Sequence, residues 1–332
     1  MPPRSHEGVD KLYFFSSFAL CLGAFVAESG FLSRVLAKDN TMNRRTFLKT
    51  VPLAASAPIL VRIPTLRSLL LEDEDALICS KKFELAVSLD LRRKPIGEVV
   101  IEIGKSFLGT AYVANTLEQP GEERLVVNLR GLDCVSFYEN ALVFARCIKK
   151  NKTTFEDYKA ELQFIRYRGG VIDGYSSRLH YSSDYFYDNE KKTVLKNVTR
   201  SLGGVLYKKT IDFMSTHAES YRQLKEQPAL IEVIRKQEAA ISKRAVYHLP
   251  KDAVNKAAKK ILNGDILAIT ADIPGMDVAH TGIAIWQEGK LHFLHAPLSG
   301  SKVQVTEKTL AEYLAASPKR LGIMVARPVE PA

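Results

Sequence analysis

Tryptophan occurs once in the 332 residues and cysteine four times, and no two cysteines stand in a C-x-x-C spacing. The missing pairs argue against a zinc ribbon or a thioredoxin-type redox site. No uninterrupted apolar run approaches the roughly 18 residues of a membrane-crossing helix, which excludes a polytopic membrane protein. Internal repeats and low-complexity tracts are absent too. Charge of one sign is not concentrated in the body of the chain. The formal charge is +10, from 47 basic and 37 acidic residues, and half of the excess falls within residues 1–71. What remains is too thin for a nucleic-acid surface. A composition of 46% hydrophobic and 25% charged residues describes a globular protein.

The N-terminus reads as an address. Arg44 and Arg45 precede Phe47, Leu48 and Lys49, and a mildly apolar stretch with Ala-Ser-Ala follows. Residues 42–71 therefore resemble a bacterial twin-arginine export signal, which implies a periplasmic or otherwise exported protein. Upstream, an apolar run from Leu12 to Val26 reads either as a separate signal or as part of an extension before a true start at Met42. The second reading is preferred, and residues 1–41 are given no folded role.

From residue 73 onward the pattern is that of one domain. Helices are expected over 73–92 and 95–108, and a short strand over Leu125–Leu129 that breaks at Arg130-Gly131. From Cys134, apolar residues at Val135, Tyr138, Leu142 and Ala145 predict a helix with one buried stripe. Another helix is expected over 155–166, then a Gly/Tyr/Ser-rich ordered loop over 167–190. Residues 190–247 read as an insertion with helices, and 251–262 as a short helix. Strands are expected at Ile266–Thr270, His280–Trp286, Leu291–Ala296 and near Leu321–Ala326. Helices first and antiparallel strands later predict an α+β fold.

Cys134 opens its helix, with Asp133 where an N-cap would stand. The positive end of a helix favours thiolate, the form that attacks carbonyls. A cysteine nucleophile needs a base, and His280 opens a strand after a loop, where functional residues collect. Gly282 just beyond it permits a close backbone approach. A third group must orient the imidazole. If Glu288-Gly289 is the hairpin turn, Gly282 faces His295 and Ala284 faces Phe293. His280 and His295 then share a face of the sheet, and His292 points to the other. Cys147 is expected to pack as a small hydrophobe; Cys79 has no assignment.

Four segments, in this order, carry a family resemblance: Gly131-Leu132-Asp133-Cys134-Val135-Ser136-Phe137, Asn263-Gly264-Asp265-Ile266-Leu267, His280-Thr281-Gly282-Ile283-Ala284 and Leu294-His295-Ala296. Together they resemble the NlpC-type bacterial cell-wall hydrolases, papain-like cysteine enzymes. The run from Tyr167 to Tyr181 looks like the N-acetylmuramoyl-L-alanine amidase-like branch. The resemblance spans roughly residues 95–327. It implies a papain-like α+β fold with Cys134 as nucleophile, His280 as general base and His295 as orienting group. It also implies hydrolysis of the bond between muramic acid and L-alanine in soluble peptidoglycan fragments, anhydro-muropeptides, by a monomer using no metal or cofactor.

Further candidates come from the resemblance for Tyr112 and from side-chain chemistry for the rest. Tyr112 stands where NlpC-type enzymes often place a site tyrosine, or is a half-buried core residue. Arg178, His180 and Tyr181 bind sugar hydroxyls or a carboxylate, or hold their loop through a local acid. Asp277 anchors the loop before His280 or contacts a peptide amine. Alternatives are an NlpC-type endopeptidase acting between D-glutamate and the diamino acid, a non-catalytic muropeptide binder, and an acyltransferase.

Overall fold

Alternation of side chains along four long strands builds the centre of the protein. A computed structural model describes residues 66–332; residues 1–65, with the paired arginines, lie outside the described part. The first described helix, α1 (Leu66–Ser88), begins inside the tail of the segment assigned to the export signal. It is followed by α2 (Ile96–Lys105), β1 (Ala111–Tyr112), β2 (Gly131–Leu132), α3 (Cys134–Lys149) and α4 (Phe155–Arg166). Then come α5 (Ser182–Lys191), β3 (Leu195–Asn197), β4 (Val205–Leu206), α6 (Phe213–Thr216), α7 (Arg222–Glu226) and α8 (Ala229–Ser242). The last part holds β5 (Tyr247–Pro250), α9 (Val254–Ala257), β6 (Ile266–Ala271), β7 (Val278–Gln287), β8 (Lys290–His295), β9 (Gln304–Val305), α10 (Leu310–Ala315) and β10 (Arg320–Pro328).

Eight strands form one antiparallel sheet in the order β4-β5-β10-β6-β7-β8-β9, with β3 also paired to β10. Both faces are covered. Ile266, Ala268, Ile283, Ile285, Leu294 and Met324 pack towards the N-terminal helices. Leu267, Ile269, Ala284, Phe293, Ile323 and Val325 pack beneath α9 and α10. The fold class is thus α+β, as the order of elements predicts.

The β7–β8 hairpin has the expected register: Ala284 pairs with Phe293 and Gln287 with Lys290. Its turn holds positive φ at Glu288 (50°) and Gly289 (72°), the tight turn whose twist matches the strands.

Three local expectations are corrected. Leu125–Leu129 is not a strand, because side chains take its backbone groups. Asp75 accepts the Leu129 N–H at 2.9 Å, and Arg166 donates to the Val126 carbonyl at 2.5 Å. The helix α3 is buried on nearly every side rather than along one stripe; Ser136 to Ile148 are all buried. Its polar groups survive burial by pairing, Glu139 with Arg166 at 2.6 Å and Arg146 with Glu161 at 2.5 Å. Lastly, the loop expected over 167–190 holds the helix α5, while residues 191–247 contribute a satellite core around Met214, Tyr221, Leu224, Ile234 and Ile241.

Candidate active site

The run into Cys134 is fixed by a reciprocal cap. One Asp133 oxygen accepts from the N–H groups of Val135 at 3.0 Å and Ser136 at 2.7 Å, and the Ser136 hydroxyl accepts from the Asp133 N–H at 2.9 Å. This capping box satisfies orphan donors of the first turn and holds Cys134 at the helix start. Burial, and then the charge of the neighbouring thiol, push the Asp133 carboxyl up to about 6.

The strand β7 is tied directly to this helix. Thr281 donates its hydroxyl to the Cys134 carbonyl oxygen at 2.8 Å. The preceding residue, His280, follows a bulge against β6: Thr270 pairs with Val278 and Ile269 with His280, leaving Ala279 as the extra residue. Bulges re-aim side chains in this way.

His280 Nε2 lies 2.8 Å from His295 Nδ1. Burial, then the charges of His280 and Arg320, hold the His295 imidazole well below its usual range. Where the neutral His295 accepts through Nδ1, His280 donates from Nε2–H, and Nδ1 of His280 is then the basic nitrogen. Phe293 supports both rings, 5.6 Å from His280 and 4.7 Å from His295. Gly282 makes room for them: a Cβ there would stand 2.9 Å from that of His295 and 2.6 Å from the Leu294 carbonyl oxygen. His292 points away and faces the Thr306 carbonyl at 2.9 Å through Nδ1.

The three described cysteines, none in a disulfide, differ in setting. Cys79 and Cys147 are core residues; burial pushes the Cys79 thiol up to about 12 and raises Cys147 also. Cys134 alone of the three opens a helix beside a histidine strand.

Most of the expected substrate contacts are turned inward. Arg178 is 4% exposed and pairs with Glu118 at 2.5 Å and Glu123 at 3.6 Å. Tyr181 is buried and donates to Glu238 at 2.6 Å. Asp277 is buried and accepts from the Ser183 N–H at 2.7 Å, fastening α5 to the loop before His280. These three hold the framework because desolvating them demanded internal partners. His180 is half-buried, with Nε2 at 2.9 Å from the Tyr175 carbonyl oxygen; burial and the Arg178 charge lower it to about 3. Tyr112, half-buried on β1, packs against the main core.

Two residues of this neighbourhood escape sequence reasoning. Thr281 offers only its place beside His280. Tyr313 comes from α10, distant in sequence, yet stands edge-to-face on His295 with centroids 5.4 Å apart.

A helix-borne thiol and a coupled histidine pair on an antiparallel sheet define the class of site. The sequence model of the AmiA-like family, described as N-acetylmuramoyl-L-alanine amidase-like, matches residues 102–323, and the chain belongs to this family. Among solved structures it is similar to an N-acetylmuramoyl-L-alanine amidase from Bacteroides uniformis, with 36% identity over 70% of this chain and 98% of that one, TM-score 0.67. A Bacteroides fragilis protein, provisionally described as a xylanase, is 40% identical over 68% of this chain and 98% of that one, TM-score 0.65. A Legionella pneumophila protein shares the fold at 22% identity over 79% of this chain and 97% of its own, TM-score 0.60. No curated protein matches the chain.

Proposed function

We propose that the protein is a cysteine amidase that hydrolyses the N-acetylmuramoyl-L-alanine bond of peptidoglycan fragments, anhydro-muropeptides among them. The observation that carries this reading is the 2.8 Å bond between His280 Nε2 and His295 Nδ1, on a strand anchored by Thr281 to the capped start of the Cys134 helix. Cys134 is the nucleophile, His280 the base and His295 the orienting group. The arrangement is in keeping with a papain-like fold of the NlpC type.

The Cys134 thiol gives its proton to His280 Nδ1, and the thiolate attacks the lactyl carbonyl of muramic acid. The developing oxyanion lies against the helix start, whose partial positive charge favours it. The imidazolium protonates the departing amine of L-alanine, leaving a thioester on Cys134. A water molecule, deprotonated by His280, then releases the muramic acid carboxylate and restores the thiol. Glycoside hydrolysis, by contrast, ordinarily uses two facing carboxylates. The acids closest to Cys134 in the chain are otherwise engaged, Asp133 in the helix cap and Glu139 with Arg166.

Export through the twin-arginine segment at 42–71 belongs to the same reading. The combined Arg44→Lys and Arg45→Lys changes should leave the protein in the cytoplasm on cell fractionation; normal export would refute the signal. No described helix is long and apolar enough to cross a membrane.

The test is mass spectrometry of the protein and of a Cys134→Ala variant after incubation with GlcNAc-anhydroMurNAc-tetrapeptide. Free tetrapeptide and disaccharide, lost by more than about a thousandfold in the variant, are expected. Cleavage inside the tetrapeptide would instead assign an endopeptidase, and no cleavage of either kind would refute the enzyme reading.

A further inference from the structure

Four cations meet in one pocket beside the β4–β5 ribbon. Two neighbouring segments build it, joined where the Tyr207 N–H donates to the Val246 carbonyl at 2.7 Å. Lys208 and Lys209 come from the segment after β4, and Lys243 and Arg244 from the end of α8. The pocket holds about 500 Å³, and no acidic residue lines it.

Internal partners leave most of this charge uncompensated. Asp184 pairs with Arg244 but also with Arg168 at 2.7 Å, so one carboxylate serves two guanidiniums. The Tyr187 ring fixes Arg244 as well, with the guanidinium carbon 3.8 Å from its centroid. Lys209 is half-buried, and its ammonium donates at 2.5 Å to the Ala271 carbonyl oxygen, a neutral acceptor. Burial lowers the pKa of this ammonium, and the charges of Asp272 and Asp277 offset only part of the effect. Lys208 and Lys243 are exposed, and among the described residues neither is ion-paired. Like charges gathered in this way repel one another, and an anion from outside relieves the repulsion.

The pocket stands next to the loop that delivers the base. The Tyr207 hydroxyl lies 3.1 Å from the Ala271 carbonyl oxygen and 3.2 Å from that of Asp277, clasping both ends of the loop 271–277. From Asp277 to His280 is three residues, at most about 10 Å of chain. A four-residue stem peptide spans about 14 Å when extended. A stem whose L-alanine lies at Cys134 therefore has the length to bring its far carboxylates to the pocket.

We propose that Lys208, Lys209, Lys243 and Arg244 form a subsite for the carboxylates of the stem peptide, and that the protein selects acidic stems over neutral ones. This rests on the amidase reading, in which the stem is the leaving group. D-Glutamate, a diamino acid such as diaminopimelate and the terminal alanine each bring a carboxylate, and only the amine of the diamino acid opposes them. Arg244 and Lys209, held by their partners, supply a preset positive field. The two exposed lysines add mobile point charges at the rim. Contacts of this kind are modest one by one and weaken with salt.

The test compares GlcNAc-anhydroMurNAc-tetrapeptide with the same disaccharide carrying L-alanine amide, which has no carboxylate on its peptide. Turnover by the full-length protein is followed for the wild type and for the combined Lys208→Gln and Lys243→Gln changes, both at exposed positions. The ratio of kcat/KM, tetrapeptide over alanine amide, should fall about fivefold in the variant. Added salt should lower the wild-type ratio more than that of the variant. The combined Lys208→Arg and Lys243→Arg changes should keep the wild-type ratio. An unmoved ratio in the glutamine variant, or equal losses for both substrates, would overturn the inference.

A second measurement needs no turnover. In equilibrium dialysis the wild type should retain free tetrapeptide in preference to its fully amidated form, and the glutamine variant should lose that preference. Equal retention of the two forms would overturn the subsite. Displacement of the tetrapeptide by equimolar inorganic phosphate would show a general anion site and overturn it too. If the wild type cleaves neither muropeptide, the amidase reading itself fails, and the inference with it. If it cleaves both and the variant leaves the ratio unmoved, only the subsite fails.

Discussion

Burial decides what individual charged side chains do here. Arg178 illustrates it: a guanidinium that could grip a substrate carboxylate is sealed between Glu118 and Glu123 beneath the loop. Arg178→Ala would strand two acids in a desolvated site, and a loss of about 3–5 kcal/mol is expected in denaturant unfolding. The KM for muropeptide should stay within about twofold of the wild type in whatever folded fraction remains; a selective rise in KM would return Arg178 to the binding site.

Asp133 gives a prediction in pH. Its carboxyl sits at about 6 in the folded protein against an ordinary value near 4. A raised acid favours folding fully below the ordinary value, and that contribution is lost as pH rises through about 6. Asp133→Asn keeps a capping side chain and removes the titration. Between pH 4 and 7 the wild type should therefore lose about 2–3 kcal/mol relative to the variant. Parallel stability curves over this window would show that the buried carboxyl is not titrating there.

Among elements, the β7–β8 hairpin contributes most to the site. Two positive-φ turn residues set its register, the register puts His280 and His295 on one face, and Gly282 lets the strands close. Gly282→Ala would press a methyl group against the Leu294 carbonyl oxygen and the Phe293 ring, at 2.6 and 2.7 Å. A cost of about 1–3 kcal/mol in stability is expected, together with a fall in kcat larger than any change in KM, because His295 is displaced from His280. Unaltered kcat would show that the close approach has no bearing on the pair.

This hairpin was legible in the sequence because a two-residue turn and strict alternation fix each side chain's direction. Asp133 as a cap was legible for a similar reason, since caps are local. The false strand at Leu125–Leu129 and the single stripe of α3 arose from non-local causes. Asp75 and Arg166 reach in from other helices to take the backbone of the first. The sheet and the helices α1, α2 and α4 enclose the second. Tyr313 carried no signal at all, as its meaning depends on α10 folding over the face of the hairpin.

At the scale of the molecule, a sheet covered on both faces holds the thiol on one structural unit and the imidazoles on another. Helices α1–α5 pack on one side and α9 and α10 on the other, so the Cys134 helix cannot shift without disturbing the histidine strand. The small core of residues 191–247 is joined to this frame through Tyr181 and Glu238, and Asp277 ties α5 to the loop before His280. Such a frame suits chemistry that needs a preset nucleophile–base geometry. The family match over residues 102–323 covers the helices that present Cys134 and the strands that present both histidines.

The central claim is that Cys134 attacks the muramoyl carbonyl. Acid-quenched intact-mass and peptide-level spectrometry during turnover of GlcNAc-anhydroMurNAc-tetrapeptide tests it most directly, because the covalent adduct records which carbonyl was attacked. The account predicts a mass increment equal to the disaccharide acyl group, on Cys134 alone, labile to hydroxylamine as a thioester. A peptide-bearing adduct on Cys134, an adduct on another residue, or amide cleavage that persists in Cys134→Ala would contradict it.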